Sequence, residues 1–227
     1  MTEQPKLWSK FWPADMPKTL QYPDVTLPNI LRKTAREHGE KVTIVFRERE
    51  INYKELDALS DKFAAALSSL GIVKGDRVAV FLPNIPQFII AYFGVMKAGA
   101  VVTAISPLHR ERELEHQLHD SEAKIIVALK SLHPIVKNVW SKTQLKNAII
   151  TNFETFTSET EQNSNVHSFQ KLLTEDAHPQ NVKINPAEDL AALQYTGGTT
   201  GAAKGAMLTH ANLVANTLAF AAWIKGA

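Results

Sequence analysis

From Val42 to Thr151 short, wholly apolar runs alternate with segments of helical periodicity, and this alternation constrains the fold more than any other feature. A strand that is apolar throughout must be covered on both faces. Amphipathic helices between such strands supply that cover, so the pattern predicts an α/β fold with a largely parallel sheet flanked by helices. Val42 to Phe46 reads as a strand, Arg47 to Glu50 as a charged turn and Ile51 to Tyr53 as a short return. Asn52 has the character of an N-cap, with Glu55 placed to close a capping box. Tyr53, Leu56, Leu59, Phe63, Ala66, Leu67 and Leu70 share one face of the helix that follows, and Gly71 suits its end. Further strands are expected at Arg77 to Leu82, Val101 to Ile105, Lys124 to Leu129 and Ala148 to Thr151. Helices are expected from Pro86 to about Ala98, from Glu111 to Asp120 and from Leu132 to Trp140. Ligands of such sheets bind beyond the carboxyl ends of the strands, so the loops after Leu82, Ile105 and Leu129 mark the edge of interest.

The alternation stops at Thr151. Polar residues dominate from Asn152 to His167, which reads as a surface loop or insertion. Asp189 to Tyr195 returns to strand composition, and a helical pattern starts near Thr209. The chain therefore divides into an N-terminal arm and first helix (1–41), an α/β subdomain (42–151), a polar connection (152–187), and a strand, glycine-rich loop and following helix (188–227).

Composition removes several classes of function. The chain has 227 residues, 44% of them hydrophobic, enough for a sizeable core in one domain or two small lobes. A net charge of +2 with scattered basic residues leaves no nucleic-acid footprint. Cysteine is absent, which excludes disulfides, thiolate metal sites and a cysteine nucleophile, and fits a cytoplasmic location. The run Phe88 to Ile105 is broken by Lys97 and glycines and does not read as a membrane span. Trp8, Phe11 and Trp12, beside Lys6 and Lys10, read first as an arm packed on the core. The other reading is a small interfacial anchor in peripheral contact with a membrane.

The segment from Thr196 to Gly205 holds four glycines, three threonines and one lysine in ten residues. Glycines permit a tight path that exposes backbone N–H groups, and successive N–H groups form a concave anion site. Threonine hydroxyls donate to phosphate oxygens, and Lys204 adds a cation. The physical expectation is a loop that wraps a polyphosphate. It is not a Walker A loop, because Ala203 precedes Lys204 and Gly205 follows it. The competing expectation is a plain flexible surface loop.

The whole stretch Tyr195-Thr-Gly-Gly-Thr-Thr-Gly-Ala-Ala-Lys-Gly-Ala-Met-Leu-Thr-His-Ala-Asn212 closely resembles the phosphate-loop signature of the adenylate-forming superfamily. Gly197 and Ala203 stand where the commoner form has Ser and Pro, and both resemble the long-chain fatty acyl-CoA synthetases of bacteria and archaea. Upstream, Ile51 to Leu56, Gly75 to Val80 with Leu82-Pro-Asn84, Phe93 to Val101, and Ser106-Pro-Leu108 with Arg112 to Ser121 are similar to the same family, in the same order. The resemblance implies the large N-terminal domain of an enzyme that activates a fatty acid with ATP and Mg2+ and transfers the acyl group to coenzyme A. It implies phosphate contacts from Thr196, Gly197, Gly198, Thr199, Thr200, Gly201 and Lys204, with Thr209 capping the next helix. The catalytic residues and the magnesium ligand are then expected beyond Ala227, and the chain alone is expected not to form thioester. Apolar faces that the rest of such an enzyme would cover make a homo-oligomer an expectation. Other acyl-adenylating enzymes, including carrier-protein and aryl-CoA ligase types, and a non-catalytic nucleotide-binding scaffold are the alternatives.

Other constellations read as structural. His116 and His119 lie three apart on a predicted helix and are read as a solvated face in preference to half a metal site. Asp57 and Asp61, four apart, are read as surface residues. Arg110 to Glu113 and Arg47 to Glu50 alternate in charge and read as exposed.

Overall fold

The apolar runs become the middle of one sheet, because each leaves no face that water can share. The computed structural model describes residues 10–13, 16–153, 164–174, 178–196 and 202–225. In chain order the elements are α1 (Leu27–His38), β1 (Val42–Phe46), β2 (Arg49–Asn52), α2 (Tyr53–Ser69), β3 (Arg77–Phe81), α3 (Pro86–Lys97), β4 (Val101–Ala104), α4 (Glu111–Ser121) and β5 (Ile125–Leu129). They continue with α5 (His133–Val139), β6 (Asn147–Thr151), β7 (Val166–Ser168), α6 (Phe169–Thr174), β8 (Leu190–Thr196), β9 (Lys204–Thr209) and α7 (His210–Lys225). Seven strands form a sheet in the order β7-β6-β5-β3-β4-β8-β9, and β1 and β2 form a separate antiparallel pair. Every pairing in the large sheet is parallel except β8 with β9.

Alternation along each strand builds two cores. Val78 and Val80 of β3, with Ile125 and Val127 of β5, face a layer of α1, α2, α3 and α6 that contains Leu56, Phe63, Ile90 and Phe169. Ala79, Phe81, Ile126 and Ala128 face α4 and α5 through Leu114, Leu118, Val136 and Val139. The apolar residues of β3 are fully buried, which explains why the strand is apolar throughout.

Local signals act as expected at the helix ends. The Asn52 side chain accepts from the Glu55 N–H at 2.8 Å, while the Glu55 carboxylate takes the Arg49 guanidinium. Helix α2 ends in a Schellman arrangement: Gly71 N–H to Ser68 O and Ile72 N–H to Leu67 O, with Gly71 at a φ of 83°. Pro86 opens α3 as its first residue.

Three expectations are corrected. The polar segment after Thr151 is not loop throughout: within it Val166–Ser168 adds a strand, and α6 buries Phe169 against Phe63 at a ring separation of 4.9 Å. Asp57 and Asp61 are not free surface residues. They receive the ammonium of Lys97 at 2.6 and 2.8 Å, and the Lys97 side chain is wholly buried. Two carboxylates thus answer one buried charge, which has to be paired. Finally, the end of the glycine-rich segment is not loop but the strand β9, and the helix expected near Thr209 follows it as α7.

At the N-terminus Trp12 packs edge-on against Trp223 of α7, with centroids 5.2 Å apart, and donates to Met16 O. Phe11 is exposed; Trp8 and Lys6 lie outside the described residues. Among the described residues no helix is long and apolar enough to cross a membrane.

Candidate functional site

The parallel register of β8 with β4 covers Ala192 and Leu193, opposite Val102 and Thr103. Pairing with β9 continues to Thr196, so the end of β8 runs past β4 as a two-stranded hairpin beyond the carboxyl edge. Thr196 and Lys204 are cross-strand partners at its root, and both are exposed. Directly opposed residues of an antiparallel pair project from one face, so the hydroxyl and the ammonium stem of this pair start side by side. The candidates between them, Gly197, Gly198, Thr199, Thr200 and Gly201, lie outside the described residues.

The opposite face of the hairpin carries Tyr195 against Gly205. A Cβ on Gly205 would come within 2.9 Å of Tyr195 Cε2, so the ring needs glycine beneath it. An aromatic laid over an edge-strand glycine restores the packing that the glycine lacks. The Tyr195 hydroxyl donates to the Asp120 carboxylate of α4. Burial, then the hydrogen bond to Asp120 and its negative charge, push the phenol well above its ordinary range, so it stays a neutral donor.

Helix α4 touches the second arm of the hairpin as well. His116 Nε2 lies 2.8 Å from Ala203 O, immediately before Lys204. A carbonyl only accepts, so this nitrogen is the donor. His116 is therefore not a solvated face residue. On the same helix the buried Gln117 amide donates to Thr103 Oγ1 at 2.9 Å and to Ala104 O at 3.0 Å, which fixes α4 to the end of β4. The sequence reads His116 as solvated and gives Asp120 no contact with the loop, because their partners lie 87 and 75 residues away. The one visible hint was their four-residue spacing on a helix.

Strand β9 carries the chain back toward the amino edge, where Thr209 caps α7. Its Oγ1 accepts from Asn212 N at 3.3 Å, and Asn212 Oδ1 accepts from Thr209 N at 3.1 Å. Six strand residues separate the loop from α7, a run of about 20 Å, so the N-terminus of that helix does not serve the loop. The next residue, His210, is buried, and its Nδ1 has no protein partner. Burial lowers its imidazole to about 4; Asp189 nearby works the other way, and Lys74 adds to the lowering. Hydrogen bonding from Lys74 in turn holds Asp189 below the usual carboxylate range.

Two further buried polar atoms without a protein partner, Gln87 Oε1 and His109 Nδ1, lie in the segments that follow β3 and β4 at the carboxyl edge. Thr196 and Lys204 thus stand at the edge expected from the strand pattern, and the segments that carry Gln87 and His109 start from it.

Comparison with known proteins places these features in context. Residues 31–226 match the family described as AMP-binding enzyme. A long-chain-fatty-acid–CoA ligase of Bacillus subtilis (strain 168) is 36% identical over 96% of this chain and 42% of its own length. The ligase of the same name from Salmonella typhimurium is 37% identical over 93% of this chain and 41% of its own. The crystal structure of a long-chain-fatty-acid–CoA ligase, FadD1, from Archaeoglobus fulgidus superposes with a TM-score of 0.79 at 32% identity, over 90% of this chain and 40% of that one. The chain spans about two fifths of the length of the curated relatives it matches.

Proposed function

The chain belongs to the AMP-binding enzyme family, and on that premise we propose that it provides the phosphate-gripping part of an ATP-dependent fatty acid–CoA ligase. In the proposed reaction a fatty-acid carboxylate oxygen attacks the α-phosphorus of ATP, and the bond to the bridging oxygen breaks to release pyrophosphate. The sulfur of coenzyme A then attacks the acyl carbon, and AMP leaves with the carboxylate oxygen. Magnesium enters with the nucleotide as part of that substrate. A cytoplasmic location follows from the same reading, since both ATP and coenzyme A are drawn from there.

The observation that carries the proposal is the Thr196–Lys204 pair closing a loop of glycine and threonine at the carboxyl edge of a parallel sheet. Negative charge grows on the β- and γ-phosphates as the α-phosphorus bond breaks. Donors already aimed at that position stabilise the transition state without reorganising. Thr196 supplies a hydroxyl, Gly197, Gly198 and Gly201 supply backbone N–H groups, Thr199 and Thr200 supply hydroxyls, and Lys204 supplies the cation. The names of the relatives support a fatty acid as the acyl donor.

Calorimetric titration with ATP and with pyrophosphate tests the reading. Lys204→Ala is expected to weaken pyrophosphate binding by about ten-fold, the loss typical of one charge-assisted contact. Equal affinity of the two proteins for pyrophosphate would refute a phosphate role for this hairpin.

A further inference from the structure

We infer that His116 and Asp120 are positioning residues that set the geometry of the Thr196–Lys204 pair by holding both arms of its hairpin against one helix; this rests on the phosphate-binding reading above. The two side chains lie at i and i+4 on α4, so they project from the same face of it. Asp120 takes the arm that leads in, through the Tyr195 hydroxyl one residue before Thr196. His116 takes the arm that leads out, through the Ala203 carbonyl one residue before Lys204. Each clamp is thus one peptide away from one member of the pair.

The helix that applies these clamps is itself fixed. Gln117 ties it to Thr103 and Ala104 at the carboxyl end of β4, the strand on which β8 lies. Leu114 and Leu118 bury its other side in the core beneath β3 and β5. The hairpin overhangs the sheet and buries little of its own: Gln194, Thr196, Lys204 and Ala206 are all exposed. An overhang of this kind moves unless something outside it holds it, and a charged phosphate contact loses strength steeply with misplacement. The Tyr195 ring also lies against Gly205, so the incoming clamp transmits to the outgoing arm next to Lys204.

The experiment compares pyrophosphate affinity by titration calorimetry, and melting temperature, in the 227-residue chain and its variants Lys204→Ala, His116→Ala, His116→Gln, Asp120→Ala, Tyr195→Phe and the Asp120→Ala/Tyr195→Phe double. His116→Ala and Asp120→Ala are expected to weaken binding by about three- to ten-fold, the range of one lost hydrogen bond, at nearly unchanged melting temperature. His116→Gln, whose amide can donate from a similar position, should recover most of that affinity. The double variant should bind no worse than Asp120→Ala alone, because the two residues act through one bond. If Lys204→Ala loses affinity while His116→Ala and Asp120→Ala bind like the unaltered chain, the positioning assignment is wrong and the phosphate reading survives. If the unaltered chain shows no pyrophosphate binding, or binds it no better than Lys204→Ala, the phosphate reading fails and takes the assignment with it. A drop in melting temperature that His116→Gln does not reverse, with no recovery of affinity, overturns the assignment in favour of an ordinary structural contact.

Discussion

In β3 the apolar side chains are buried on both faces of the sheet, from Val78 to Phe81, whereas in the β8–β9 hairpin Thr196, Lys204 and Met207 all face water. The first region is held by area removed from solvent, which is non-directional and tolerant of small shifts. The second is held by a handful of directed contacts, Tyr195 with Asp120 and Ala203 with His116. The division suits the two tasks. A sheet centre must persist, while a loop with the proposed phosphate-binding role needs polar groups that are uncommitted and a backbone that is accessible. The hairpin therefore draws its order from a neighbouring helix and not from a core of its own.

Four changes separate the two regions, in falling order of effect. Phe81→Ala removes a fully buried ring from the sheet centre and is expected to cost about 3–5 kcal/mol. Urea unfolding should show the loss as a lower midpoint with little change in slope.

Acid is the second lever, acting at the root of α7. In the unfolded chain His210 takes up its proton near 6.5, but in the folded protein only near 4. The unfolded state therefore binds more protons between these values. Stability from this group is complete above about pH 6.5, falls as the pH drops toward 4, and changes no further below it. The loss is on the order of 3 kcal/mol at most. His210→Asn should flatten the difference between urea melts at pH 7.5 and pH 4.5 relative to the unaltered chain. A parallel pH dependence in both proteins would show that His210 is not its source.

Third, Asp61→Ala removes one of two carboxylates from the buried Lys97 and the partner of Arg32. A loss of about 2 kcal/mol is expected, below the usual figure for breaking a buried pair because Asp57 remains. Lys97→Met, which removes the buried charge itself, should be milder, and thermal melts of the two variants rank them. Fourth, Thr209→Ala removes the cap of α7 at a cost of about 1 kcal/mol. Faster amide exchange confined to the first turn of α7 is the signature to look for.

The sheet was legible in the sequence because its information is local. Wholly apolar runs such as Val78 to Leu82 permit few fates, and the Asn52 cap and the Gly71 terminus are settled within a few residues. Segment 152–187 was misleading because composition averages over it. Phe169, Leu172 and Leu173 are buried among residues whose neighbours in sequence are polar. Lys97 misled in the same way: a lysine in an apolar helix gives no sign of which carboxylates will meet it. At the candidate site the residue types were readable, but β9 was not. A strand pairing antiparallel at a sheet edge leaves only weak periodicity, and the glycines around Lys204 favour the reading of a continuous loop.

Local sequence was enough to specify a covered parallel sheet and to single out the ten residues from Thr196 to Gly205 as the candidate phosphate loop. Both follow from side-chain chemistry and spacing within short windows. Only the tertiary structure decided that Thr196 and Lys204 stand opposite one another, that α4 reaches both arms of their hairpin, and that Lys97 lies buried between two aspartates. Each of these joins residues far apart in the chain, and such a contact exists only after packing has brought the elements together.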